Sequence, residues 1–166
     1  MRIKSLTYLV AALFLATACA ETMQDGGAGQ GSGANQVAAS SVKPGTSRDF
    51  VVNVGDRVFF EFDKAGLSSD ARSQLEKQAA WLKKFGGANL TLEGHADERG
   101  TREYNLALGE RRANSAKDFL VALGVAPSRI KVISYGKERP AALGQNEAAW
   151  RQNRRAVTVI AGGSGS

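Results

Sequence analysis

Apolar and polar residues alternate through Leu90, Thr91, Leu92 and Glu93, the period of a half-buried strand. Gly94 breaks the alternation, as glycine does where backbone bends or is approached closely. From Leu106 onward the apolar residues Leu106, Ala113, Ala116, Leu120 and Leu123 fall on one face of a long helix that ends at Gly124. Between strand and helix lies a loop dense in charge, carrying Asp97, Glu98, Arg99, Arg102 and Glu103, with Arg111 and Arg112 two turns into the helix. A polar loop held at both ends by core elements is where a site is built.

The same patterning predicts the remaining elements. Order begins near Phe50, and Val58, Phe60 and Phe62 alternate with Phe59 and Glu61 in a strand ending at Asp63. Ser68 or Ser69 caps a helix with Asp70 in its first turn. Its buried stripe is Ala71, Leu75, Ala79, Leu82 and Phe85, and Gly86 with Gly87 stops it. A third strand runs over 130–134, residues 135–140 form a loop, a short helix occupies 146–152 and a last strand 156–160. The order β-α-β-α-β-(α)-β with so few helices predicts an α+β fold, a two-layer sandwich with helices over one face of a mixed sheet. The strand order does not follow from the pattern.

The N-terminus changes the charge balance. Arg2 and Lys4 precede an apolar run from Leu6 to Leu15, and Ala16, Thr17 and Ala18 follow, which is the composition of a signal peptide over residues 1–18. The run is shorter than the ~18 apolar residues of a membrane span. Its removal takes two of the 22 Lys and Arg, leaving 20 against 16 acidic residues, net +4 rather than +6. A mild positive balance suits anionic envelope polymers and is weak evidence for nucleic acid. Residues 20–48 are rich in Gly, Ala, Ser and Gln without apolar periodicity, a flexible linker with an r.m.s. span of about 30 Å. The folded domain is then expected over 49–161, and the Gly/Ser stretch 162–166 is a disordered tail.

Candidate chemistry centres on the loop. His95 is the only histidine and Cys19 the only cysteine, so a zinc site lacks ligands, and no Ser, Cys or Thr has a base partner except through that histidine. No metal or cofactor is expected, and an enzyme is disfavoured. Binding is better supplied. The Asp97 carboxylate can accept an ammonium group, and the Arg112 guanidinium can fork a carboxylate with two hydrogen bonds. Two such charge-assisted contacts, at roughly 1.5–3 kcal/mol each with some burial, reach about micromolar affinity. The alternatives stay open: Asp97 and Arg112 as an internal ion pair, or Arg111 and Arg112 as a solvated helix face. Tyr104 reads as a packing residue at the helix start, Arg154 and Arg155 as structural partners of nearby acids, and Trp81 and Trp150 as packing.

Three stretches carry a resemblance: Phe60-Glu61-Phe62-Asp63, the run from Gly94-His95-Ala96-Asp97 through Arg111-Arg112-Ala113, and Ser134-Tyr135-Gly136-Lys137-Glu138-Arg139-Pro140, with Asn153-Arg154-Arg155-Ala156 closing the pattern. Together they resemble the peptidoglycan-associated lipoproteins, within the broader OmpA-like C-terminal domain family, over nearly all of residues 50–161. The segment Leu15-Ala16-Thr17-Ala18-Cys19 likewise resembles a lipobox, with Ala16 where leucine is usual. The resemblance implies lipidation of Cys19, and Ala20 in place of an aspartate implies the outer membrane. It further implies non-covalent binding of peptidoglycan through the diaminopimelate of the stem peptide. Asp97 then takes the ammonium end and Arg112 a carboxylate, with Asn105, His95, Phe62 and Asp63 lining the pocket. The implied partners are TolB and TolA, in the Tol-Pal system of envelope integrity and cell division. A second reading is a protein-interaction subunit of that complex whose wall contact is minor. Replacing Asp97 or Arg112 by Ala is expected to lose most wall binding in a domain that stays folded.

Overall fold

The chain is described by a computed structural model over residues 42–161. The expected signal peptide, Cys19, the expected linker up to residue 41 and the expected tail 162–166 lie outside the described residues.

Local sequence explains where each helix starts. Helix α1 (Ser47–Asp49) is capped by Thr46 and runs on into a π-helical turn, Phe50–Val54. Ser68 caps α2 (Ser69–Lys84), Thr101 caps α3 (Arg102–Ala122) and Asn146 caps α4 (Glu147–Asn153). Each cap side chain accepts from a backbone N–H of the first turn that the helix itself leaves without a partner. The strands are β1 (Arg57–Phe59), β2 (Asn89–His95), β3 (Ile130–Gly136) and β4 (Arg155–Ala161).

The strand order, open in the sequence, is β1-β4-β2-β3. β2 and β3 are parallel neighbours joined through α3, while β4 inserts between β1 and β2 and runs antiparallel to both. The fold is the expected α+β sandwich with a mixed sheet. Leu90 and Leu92 of β2 and Ala156, Thr158 and Ile160 of β4 are buried beneath the helices, whereas Val159 is 40% exposed on the opposite face. Leu75, Ala79 and Leu82 of α2 and Ala113, Ala116 and Leu120 of α3 close the core. Each large side chain buried there contributes about 1.5–3 kcal/mol.

Three expectations need correction. The first strand ends at Phe59 instead of Asp63: the Phe60 N–H still reaches the Arg154 carbonyl oxygen at 2.9 Å, but the chain then turns, and Asp63 takes a left-handed φ of 57°. Phe62 is therefore 54% exposed, unlike Val58 and Phe60, which share its phase of the alternation and are buried. Order also starts before Phe50, within the expected linker. Asp49 is buried and accepts hydrogen bonds from the Gly45 N–H, Asn53 Nδ2 and Trp81 Nε1 at 2.9, 2.7 and 2.8 Å. At the head of α3, Leu108 is buried in place of Leu106, which is half-buried.

The topology matters for one place above all. Gly94 at the end of β2 pairs with Ala156 at the start of β4, and Phe59 at the end of β1 pairs with Arg155. Three strand ends and the head of α3 thus meet at one end of the sheet.

Candidate functional site

Two glycines set how close α3 comes to that end of the sheet. A Cβ on Gly94 would overlap the Gly109 carbonyl oxygen, and one on Gly109 would overlap Ser134 Oγ. With neither present, the helix backbone lies directly on β2. Arg112, one turn beyond Gly109, is thereby carried under the loop that follows the strand.

Arg112 is fully buried, and its guanidinium gathers backbone from three places. Nε donates to the Lys64 carbonyl oxygen at 2.9 Å, Nη1 to that of His95 at 2.8 Å and Nη2 to that of Glu61 at 3.1 Å. Three of its five N–H groups are committed and two remain. Burial lowers its pKa to about 10, Asp97 opposing and Arg154 adding to the shift, so the group is still a cation at neutral pH.

Asp97 is 4% exposed. Its carboxylate pairs with Arg99 at 2.6 Å and with Arg154 at 3.3 Å, and not with Arg112. Burial alone would raise its pKa, but the hydrogen bonds from Arg99, side chain and backbone, and from Arg154 override this and hold it below the usual carboxylate range. The internal Asp97–Arg112 pair left open by the sequence is thus not what forms. Nor is Arg112 a solvated helix residue; that description fits Arg111, which is exposed beside the Tyr104 ring.

Both charges line one pocket of about 190 Å³. Its remaining wall is Phe62, Asp63, Arg99, Gly100, Tyr104, Asn105 and Leu108. Asn105 is buried, and its Nδ2 donates to the Arg99 carbonyl oxygen at 2.9 Å, which shapes the loop from below. A larger groove of about 500 Å³ opens between β1, the start of α2 and α4, but neither Asp97 nor Arg112 borders it. Among the described residues, the two charges that suit a zwitterion meet in the smaller pocket.

Five of the six residues expected to form the pocket are brought together: Asp97, Arg112, Asn105, Phe62 and Asp63. His95 is not among them. The strand register places its side chain in the protein, 2% exposed and 5.6 Å from the Tyr135 ring, and only its carbonyl oxygen serves the site, as an acceptor for Arg112. Neither ring nitrogen has a hydrogen-bond partner.

Tyr104 departs from its expected packing role, since it lines the pocket and its hydroxyl donates a short hydrogen bond to Asp63 Oδ1. Its position three residues after the cap Thr101 puts it on the pocket side of the first turn. Leu108, Gly100 and Arg99 were also not anticipated. Leu108 could have been found from its i+3 spacing to Asn105 and i−4 spacing to Arg112, one helix face. Arg99 offered no such indication, because its position depends on residues far away in sequence: its guanidinium carbon lies 4.0 Å from the ring centroids of both Phe62 and Trp150. Arg154 is structural as expected, bonded to Asp97, to Glu147 at 2.6 Å and to the Phe60 carbonyl oxygen at 3.0 Å.

The fold and pocket have known counterparts. The model of the OmpA family matches residues 59–154. The peptidoglycan-associated lipoprotein of Mesorhizobium japonicum is 56% identical over 124 residues, covering 75% of this chain and 74% of that protein. That of Brucella melitensis is 49% identical over 151 residues, 91% of this chain and 90% of the relative. Among solved structures, the crystal structure of the peptidoglycan-associated lipoprotein from Burkholderia pseudomallei superposes with a TM-score of 0.62 at 42% identity, over 64% of this chain and 90% of that one. The C-terminal domain of Helicobacter pylori MotB has a TM-score of 0.61 at 21% identity, over 66% of this chain and 86% of that one, a likeness of fold alone. The chain belongs to the OmpA family and, within it, to the peptidoglycan-associated lipoproteins. It is not an enzyme.

Proposed function

We propose that the chain is an outer-membrane lipoprotein that grips peptidoglycan non-covalently through the diaminopimelate of the stem peptide. The observation that carries this reading is the pairing of unlike charges in one place. A carboxylate from the β2–α3 loop and a guanidinium from α3 both line a pocket of about 190 Å³, both buried and not paired to each other. Diaminopimelate ends in an amine and a carboxylate on one carbon, so it can satisfy both at once. Asp97 receives the ammonium, and the two uncommitted N–H groups of Arg112 receive the carboxylate. Tyr104 and the exposed face of Phe62 flank the aliphatic chain, and Asn105 and Asp63 fix the walls around it.

The N-terminal reading supports the same role. Cleavage after residue 18 and lipidation of Cys19 would anchor the protein, and the Gly/Ala/Ser linker would let the domain reach the wall. Anchorage raises the local concentration of the pocket, so a micromolar site suffices. The Tol-Pal assignment, with TolB and TolA as partners in envelope integrity and cell division, rests on the family resemblance.

The test is co-sedimentation of the full-length protein with purified sacculi in detergent, with free meso-diaminopimelate as competitor. Retention on the pellet, lost on adding competitor, is the expected result. A folded protein that stays in the supernatant, or one whose retention ignores the competitor, would overturn the pocket assignment.

A further inference from the structure

On its acidic side the pocket is already filled by a residue of its own loop. Arg99 follows Asp97 by two positions; its Nη2 donates to Asp97 Oδ2 at 2.6 Å and its Nε to Oδ1 at 3.2 Å. The Arg99 backbone N–H adds a third bond, to Oδ1 at 3.2 Å, and Arg154 Nη1 a fourth, to Oδ2 at 3.3 Å. A carboxylate has about four acceptor directions. Asp97 therefore has none left for an incoming ammonium group, and one of its present donors must leave.

The two arginines differ in what holds them. The Arg154 side chain is 4% exposed, and it also bonds Glu147 and the Phe60 carbonyl oxygen. Moving it aside would break these bonds together with that to Asp97 and leave a buried cation without partners, which is strongly unfavourable. The Arg99 side chain is 32% exposed, and Asp97 is its hydrogen-bond acceptor. Its other support is the pair of aromatic faces, Phe62 and Trp150, each 4.0 Å from its guanidinium carbon. Such stacking at a half-exposed site is weak enough to exchange.

We infer that Arg99 is a built-in stand-in for the ligand's ammonium group, seated on Asp97 while the pocket is empty and displaced toward solvent when an amine of the stem peptide arrives. The inference rests on the proposed reading of the pocket. It accounts for how a carboxylate 4% exposed is held ionised without ligand, since a cation is always on it. It also makes the site selective. A ligand with a carboxylate but no amine could use Arg112, but it would leave Arg99 seated on Asp97 and gain only one of the two charge-assisted contacts. Displacement would free one face of the Trp150 ring, whose Nε1 stays tied to Glu98 Oε1 at 3.0 Å.

Calorimetric titration of the full-length protein in detergent with meso-diaminopimelate tests this, using wild type, Arg99→Gln, Arg99→Lys and Asp97→Asn. With the competitor removed, Arg99→Gln should bind about tenfold more tightly than wild type, the order expected for losing one charge-assisted contact. Arg99→Lys, which keeps the charge but loses the fork, should fall between. Ligand should change tryptophan emission in wild type and leave it nearly unchanged in Arg99→Gln, where no guanidinium stacks on Trp150. Binding by Arg99→Gln and Arg99→Lys that is equal to or weaker than wild type, with Asp97→Asn inactive, would overturn the stand-in role while leaving the pocket assignment intact. No binding by wild type or any variant, or undiminished binding by Asp97→Asn, would overturn both.

Discussion

Arg112 holds the main chain of His95 and not its ring: Nη1 donates to the His95 carbonyl oxygen at 2.8 Å, from a side chain that is fully buried. With its bonds to the carbonyl oxygens of Glu61 and Lys64, the same guanidinium ties the end of β2 to the turn after β1. The residue proposed to take the ligand's carboxylate is thus also a cross-link between segments far apart in sequence.

That double role changes what Arg112→Ala should do. Three carbonyl oxygens lose a charged donor, that of His95 in a fully buried bond and those of Glu61 and Lys64 in partly buried ones, and a buried acceptor left without a partner costs about 1–3 kcal/mol. Since such losses are not additive, a destabilisation of about 3–5 kcal/mol is expected, and the variant should not remain a well-folded non-binder. Arg112→Lys should recover little, because one ammonium cannot span three carbonyls. Thermal unfolding measures this; a Tm for Arg112→Ala indistinguishable from wild type would refute it. Asp97→Asn is the better probe of binding alone.

His95 gives the fold a pH dependence. Burial lowers its pKa from 6.5 to about 4, and Arg155 and Arg139 add to the effect. Above pH 6.5 the ring is neutral in both folded and unfolded chains and contributes nothing. Below it the unfolded chain takes up a proton that the folded one refuses, so stability falls as pH drops toward 4 and levels off beneath. The full difference is worth roughly 3 kcal/mol. Denaturant unfolding at pH 7.5 and pH 4.5 should show most of that loss, and His95→Gln should flatten this part of the profile. An unchanged slope in His95→Gln would assign the dependence elsewhere.

The contrast between His95 and Asp97 shows what was legible in the sequence. Periodicity located β2, α3 and the charged loop between them, because burial of alternate residues is a local matter. It did not show that β4 inserts between β1 and β2, since pairing between distant segments leaves no periodic trace in either. For the same reason the charged loop marks Asp97 as a candidate carboxylate without indicating that Arg99 and Arg154 both bond to it. The His95 ring went the wrong way because a motif places a residue type at a site without saying whether its side chain or its carbonyl faces it. Alternation places Phe62 in a strand, but β1 ends at Phe59 and the chain turns through the left-handed φ at Asp63.

Gly94 and Gly109 should tolerate no side chain. A methyl group at either would have to displace backbone or Ser134, and the helix cannot retreat without pulling Arg112 from its three carbonyls. Ordinary overpacking costs about 1–3 kcal/mol, and this should exceed it because the obstacle is main chain. Gly94→Ala is expected to fail to fold or to unfold at least 10 °C lower, whereas Gly87→Ala, with nothing within 4 Å, should be near neutral. Equal Tm values for the two would contradict the close contact of α3 with β2.

The start of the domain is anchored by Asp49, the acceptor for the Trp81 indole N–H. A fragment beginning at Phe50 keeps every strand, but it lacks Asp49 and so leaves the indole N–H of Trp81, a residue 7% exposed, without its acceptor. It also loses the turn through Gly45 and Thr46 that caps α1. We expect it to be less stable than residues 42–161 by about 2–4 kcal/mol, from one buried unsatisfied donor and the lost charge-assisted bonds. The carboxylate adds an acid signature. Hydrogen bonds from Asn53, Trp81 and the Gly45 N–H hold the Asp49 pKa below its ordinary 3.8. Its contribution is therefore complete above pH 4 and lost as pH falls through the lowered value. Acid unfolding of Asp49→Asn should be correspondingly shallower below pH 4. If the fragment from Phe50 unfolds with the same midpoint as that from residue 42, the domain begins where the apolar pattern begins, and the turn before it is dispensable.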